Sequence, residues 1–122
     1  MRNDGKRFED AAASWLLHRG LSVLVRNFAA RTGEIDIIAL DQGCLVFLEV
    51  RSRGHPDFGG AAASVDRRKQ RRLERTARIF LQSNPQWANL PCRFDVIAYE
   101  PSQSASDSPS HWIRGAFAAQ PW

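Results

Sequence analysis

Apolar residues recur at helical spacing early in the chain and switch to alternation soon after. Phe8, Ala11, Ala12, Trp15 and Leu16 predict a helix over about residues 5–19, with Gly20 suited to the C′ position that ends it. Residues 21–28 form a β-rich run and predict the first strand. Residues 33–40 and 44–51 predict two more strands, with Asp41-Gln42-Gly43 as a tight hairpin turn between them. Gly54, Pro56, Gly59 and Gly60 mark residues 52–64 as a loop. A second helix is predicted over about residues 65–82, on an apolar stripe of Val65, Leu73, Ala77, Phe80 and Leu81. Lys69 lies one turn before Leu73, on the stripe that faces the sheet. Residues 91–100 predict a further strand. A Ser-rich loop (102–110) then leads to a short final element at 111–114. The order is α-β-β-β-α-β with a short strand or helix appended, in a single domain over residues 1–122.

Two carboxylates interrupt the strand pattern. Alternation in the third strand puts Leu45, Phe47, Glu49 and Arg51 on one face, so Glu49 continues a face that begins as packed hydrophobe. A carboxylate there needs a cation, a hydrogen-bond network or a metal ion to offset its desolvation. Asp36 sits in an equally apolar run one strand earlier. Two acids on adjacent antiparallel strands can converge on one point, and a divalent-metal site is the sharpest reading of that pair.

Charge adds a second theme. The net charge of +4 is modest, but its placement is not. Arg67, Arg68, Lys69, Arg71, Arg72, Arg75 and Arg78 crowd one helix with a single acid, Glu74. Such a patch favours a polyanion, usually nucleic acid; a solvated helix face is the plain alternative. Cys44 and Cys92 lack zinc-ligand spacing and read as buried free thiols, which suits a reducing cytoplasm. No apolar run reaches membrane-spanning length, and the first residues carry no secretory signal.

The element order and the acids resemble the restriction-endonuclease-like superfamily, PD-(D/E)XK, whose core is a mixed α/β fold of order α-β-β-β-α-β. Asp36 matches its first acid. Glu49-Val50-Arg51 matches the acid-x-Lys element with one change. The chain resembles one branch more closely, the YraN family of small bacterial proteins. The matching residues are Gly5, Glu9 and Ala12, then Gly33-Glu34-Ile35-Asp36-Ile37-Ile38-Ala39 and Val46-Phe47-Leu48-Glu49-Val50-Arg51-Ser52-Arg53. Lys69 with Leu73 and Ala77, Arg93-Phe94-Asp95-Val96 and Ala116-Phe117 extend the match.

The resemblance implies nucleic-acid binding or phosphodiester cleavage, DNA more than RNA, with Mg²⁺ or Mn²⁺ held by Asp36 and Glu49. It admits a homodimer, because enzymes of this fold often pair to cut two strands. The departure is Arg51. A guanidinium does not act as a base, yet it can hold a phosphate or stabilise developing charge. Some superfamily members carry the functional lysine on the following helix, and Lys69 could be such a migrated residue, with Gln70 a weaker candidate.

Each candidate also has a plain reading. Asp36 and Glu49 could form internal salt bridges with Arg51 or Arg93. Glu34 is either a third acid or a strand-start hydrogen-bonding residue. Glu9 is either an extra acid on the first helix or a solvated charge near its positive end. Arg51, Arg53, Arg68, Lys69, Arg72 and Arg75 are the candidate nucleic-acid contacts; Arg53 and His55 sit in the loop, where charges seldom act so specifically. Asp95 reads as structural, paired with Arg93. The four tryptophans are scattered. His18 and His111 have no partners at ligand spacing. The rival to a metal-dependent endonuclease is a catalytically inactive nucleic-acid-binding or scaffolding module on the same fold.

Overall fold

The computed structural model describes residues 2–51, 65–100, 108–109 and 111–117, with side chains from Lys6 onward. The elements run α1 (Arg2–His18), β1 (Ser22–Ala30), β2 (Gly33–Asp41), β3 (Cys44–Arg51), α2 (Arg67–Ser83), a 3-10 turn (Pro85–Trp87), β4 (Cys92–Ala98) and β5 (His111–Phe117). The predicted order stands, and the appended element is a strand.

The five strands form one sheet in the order β1-β2-β3-β4-β5. β1, β2 and β3 pair antiparallel as two successive hairpins. The β2–β3 turn is Gln42-Gly43, with φ of 50° and 82° and Asp41 paired to Cys44. Positive φ at both central residues is the twist-matched hairpin geometry that the Asp-Gln-Gly sequence suggested. β4 lies parallel to β3. A parallel neighbour requires a crossover, and α2 supplies it. β5 then returns antiparallel along β4.

Among the described residues each face of the sheet carries one α-helix. Phe8, Ala12, Leu16, Ile37, Ala39, Val46, Leu48, Ile97 and Tyr99 pack in the layer beneath α1. Ile38, Leu45, Phe47, Phe94 and Val96 pack beneath Leu73, Ala77 and Phe80 of α2. Aromatic rings join that second layer across the strands. Phe80 meets Phe28 and Phe47 edge-on at 5.3 and 6.2 Å, and Phe94 stacks between Phe47 and Phe117 at 5.4 and 4.8 Å. Contacts of this kind add to area burial and fix the helix over the middle of the sheet.

Several details depart from the sequence reading. α2 begins at Arg67 rather than Val65, because Asp66 caps it: its side chain accepts from the Lys69 backbone N–H at 2.9 Å. Val65 is buried but precedes the helix. Glu74 and Thr76 are also buried on α2, at 6% and 0% exposure. The cysteines are free, but neither is fully buried: Cys44 is half-buried and Cys92 exposed, since each begins its strand where the sheet meets solvent. The 52–64 loop and most of the 102–110 segment lie outside the described residues.

Asp95 is structural, as expected. Arg93 Nε donates to both its oxygens at 3.0 and 3.1 Å, Trp112 Nε1 to Oδ2 at 3.0 Å and the Gly115 N–H to Oδ1 at 2.9 Å. Gly115, at φ 58°, sits in the irregular stretch of β5 opposite Asp95. The buried carboxylate thus satisfies a backbone group that the bulge releases from the ladder. Arg93 also reaches Asp41 at 2.8 Å, so it serves this network and not Glu49.

Candidate functional site

The β2–β3 register pairs Ile37 with Leu48. One further step along it sets Asp36 opposite Glu49. Directly opposed residues project to the same face, and that face is the one α2 covers. The backbone N–H of Val50 donates to Asp36 Oδ2 at 2.8 Å, so a carboxylate is stitched to the neighbouring strand where the ladder ends.

Glu49 is 5% exposed. Its Oε2 takes Lys69 Nζ at 2.6 Å and Arg51 Nη1 at 3.4 Å. The helical phase that put Lys69 on the sheet-facing stripe therefore delivers its ammonium to the third-strand acid. The Asp66 cap fixes the turn from which it reaches. Gln70 is not part of the site: its amide donates to the Val65 carbonyl at 2.9 Å and ties down the residue before the helix.

Gly33, Glu34, Asp36, Glu49, Lys69, Arg72 and Leu73 line a cavity of about 170 Å³. The β1–β2 turn forms one wall. Thr32 Oγ1 and Thr76 Oγ1 lie 2.6 Å apart and clamp that turn to α2. Gly33, at φ 144°, has a backbone conformation that side-chain-bearing residues rarely adopt.

Electrostatics mark the pair of acids. Burial pushes the Asp36 carboxyl up to about 8, and the nearby charges of Glu49, Glu9 and Glu34 push in the same direction, against the Val50 N–H. Glu9 is thus near enough to act on Asp36 from α1. It is held there by Asn27, whose amide donates to Glu9 Oε1 at 2.7 Å, and by Arg26 at 3.8 Å. Asn27 has φ 54°, a left-handed geometry that asparagine tolerates better than most residues.

Of the residues singled out in the sequence, Glu34, Asp36, Glu49, Lys69 and Arg72 line the one cavity, and Arg51 joins them through Glu49. Glu9 does not line it: it acts on Asp36 only through its charge and is hydrogen-bonded to Asn27. Arg68 and Arg75 are exposed on α2 and do not line the cavity. Arg53 and His55 lie outside the described residues. Sequence reasoning missed Asn27, Thr32, Thr76, Asp66 and the Val50 N–H. Only Asp66 left a signal, an Asp just before a helical run.

Asp36 and Glu49 are the residues that could hold a cation. Both offer oxygen donors, and a hard dication would offset the burial and the Glu49 charge that raise Asp36. Among the described residues no group of three or more His, Cys, Asp or Glu side chains is gathered to hold a metal ion. A cation here would draw the rest of its shell from water or substrate.

Comparison with known proteins places the chain. The model of the uncharacterised protein family UPF0102 matches residues 8–99. The chain belongs to this family, which is the YraN family. A UPF0102 protein of Alcanivorax borkumensis is 50% identical over 119 residues, 98% of this chain and 94% of its own length. UPF0102 proteins of Pseudomonas entomophila and Pseudomonas aeruginosa are 47% and 43% identical, over 93% and 97% of this chain and 91% and 94% of their own lengths. The matched region runs from Phe8 on α1 through Tyr99 and so spans the whole candidate site. Among the described residues no helix is long and apolar enough to cross a membrane.

Proposed function

We propose that this UPF0102 protein is a metal-dependent, endonuclease-like protein acting on DNA phosphodiesters. The observation that carries the reading is the convergence of Asp36, Glu49 and Lys69 on one cavity at the edge of a basic helix. Asp36 and Glu49 would hold Mg²⁺ or Mn²⁺, which supplies Lewis-acid polarisation of the phosphate and a more acidic bound water. Lys69 takes the role of the lysine that Arg51 replaces in the acid-x-Lys element. Its ammonium and the Arg51 guanidinium neutralise charge that builds on the phosphate oxygens under attack. Arg51 does this as a fixed cation, since it does not surrender its proton. The exposed arginines of α2 follow the backbone of the nucleic acid.

A second reading has its own support. Glu49 already holds two cations on one oxygen, Lys69 at 2.6 Å and Arg51 at 3.4 Å, as a purely structural buried acid would. On that reading the protein binds nucleic acid without cutting it.

The test compares wild type with Glu49→Gln on linear, nicked and four-way-junction DNA, with Mg²⁺ or Mn²⁺. Glutamine keeps shape and hydrogen bonding but removes the charge a hard cation needs. Cleavage should vanish while binding persists. Equal cleavage by the two proteins would indicate a contaminating nuclease and leave the binding module ahead.

A further inference from the structure

The basic residues of α2 look equivalent in sequence, but the fold divides them. Lys69, Arg72, Leu73 and Thr76 share one helical stripe, at intervals of three and four, and this stripe meets the sheet and the β1–β2 turn. Arg67, Arg68, Arg71, Arg72 and Arg75 are all exposed, but of these five only Arg72 lines the cavity.

Within the site the cations differ again. Lys69 and Arg51 are both engaged by Glu49 Oε2. Arg72 lines the same cavity, and among the described residues no carboxylate lies within ion-pair distance of its guanidinium. Its backbone is held through its carbonyl. The Arg72 carbonyl accepts from Thr76 Oγ1 at 2.8 Å, and Thr76 is itself clamped to Thr32. The cavity lining therefore combines three acids, Asp36, Glu49 and Glu34, with an arginine that has no carboxylate partner among the described residues. A planar five-donor cation of this kind matches the paired oxygens of a phosphate.

We infer that Arg72 is the α2 residue that grips the phosphate held over the acids, while Arg68 and Arg75 contact only flanking phosphates. The inference rests on the nuclease reading for its catalytic consequence, but the phosphate contact itself can be read without turnover.

Two measurements test it on the full chain. The first compares Arg72→Gln with the double variant Arg68→Gln/Arg75→Gln in Mn²⁺-dependent cleavage and in salt-dependent DNA binding. Arg72→Gln should lower kcat about 100-fold, the scale of losing one aimed donor, with KM little changed. Arg72→Lys should recover only part of this, because an ammonium lacks the bidentate fork. The double variant should keep kcat, raise KM and reduce the slope of log affinity against log salt by about two.

The second titrates inorganic phosphate, with Mg²⁺ present, into protein labelled for the arginine Nε–Hε resonances. The Arg72 resonance should shift, and those of Arg68 and Arg75 should stay in place. A wild type that cuts nothing yet shows this shift would overturn the nuclease reading and uphold the Arg72 contact. Cleavage by Arg72→Gln at the wild-type kcat would overturn the inference. So would a phosphate titration that moves all three resonances alike.

Discussion

At the scale of single residues, Asp36 has the most displaced carboxyl among the described residues. Its carboxyl is pushed up to about 8 by burial and by Glu49. Between the ordinary carboxylate range and that value, the folded chain keeps a proton that the unfolded chain gives up. Stability therefore declines as pH rises from about 4 to about 8. Asp36→Asn removes the titration and still presents an oxygen to the Val50 N–H. The variant should match wild type near pH 3 and exceed it in stability at pH 8.5, as urea melts at the two pH values will read. An equal gap at both would mean that Asp36 is not the group responsible. The same neighbourhood shows what sequence can reveal about a residue. Glu49 and Lys69 were found by counting, because a period of 2.0 and a period of 3.6 each point a side chain in a known direction. Asn27, Thr32 and Thr76 were invisible, because nothing in a linear pattern says that the β1–β2 turn will lie against α2.

At the scale of elements, α2 does two jobs through one end. Its N-terminal turn is closed by Asp66 and carries Lys69, whose N–H the cap accepts. Asp66→Ala should destabilise the protein by about 1 kcal/mol, and Asp66→Ser should restore most of the loss. Chemical denaturation measures both. A null effect would show that the turn is held by tertiary contacts alone. The strands and helices themselves were legible because their apolar periods are long and regular. Their ends were less so: the cap moved the start of α2 inward, and β5 continued to Phe117, past the predicted end at 114, by way of a bulge that Gly115 and the buried Asp95 make together. Buried polar groups were the other blind spot. Glu74 and Thr76 sit on the covered face of α2, where a binary pattern expects hydrophobes. The Asp41–Arg93–Asp95 chain joins residues far apart in sequence. The cysteines were misjudged because a residue type's average burial does not hold at the first position of a strand.

At the scale of the whole molecule, charge is sorted by position. Acids gather at the β1–β2 turn end of the α2-covered face, where β2 begins and β3 ends, and cations coat the helix above them. A dication that displaces the proton from Asp36 would bind the folded chain alone and stabilise it by mass action. Mn²⁺ or Mg²⁺ at ten times its dissociation constant should add about 1.4 kcal/mol, or several degrees in melting temperature for a chain of this size. The gain should be larger at pH 8.5 than at pH 5, because the cation competes with the proton on Asp36. Glu49→Gln should lose it, while Arg68→Gln/Arg75→Gln should keep it, since those residues stand outside the cavity. Thermal melts with and without metal separate the two functional readings before any substrate is known. A wild type indifferent to both cations, with Glu49→Gln melting no differently in their presence, would mean that Lys69 and Arg51 are the permanent counter-ions of Glu49. The basic helix would then remain as a surface for nucleic acid with no chemistry beneath it.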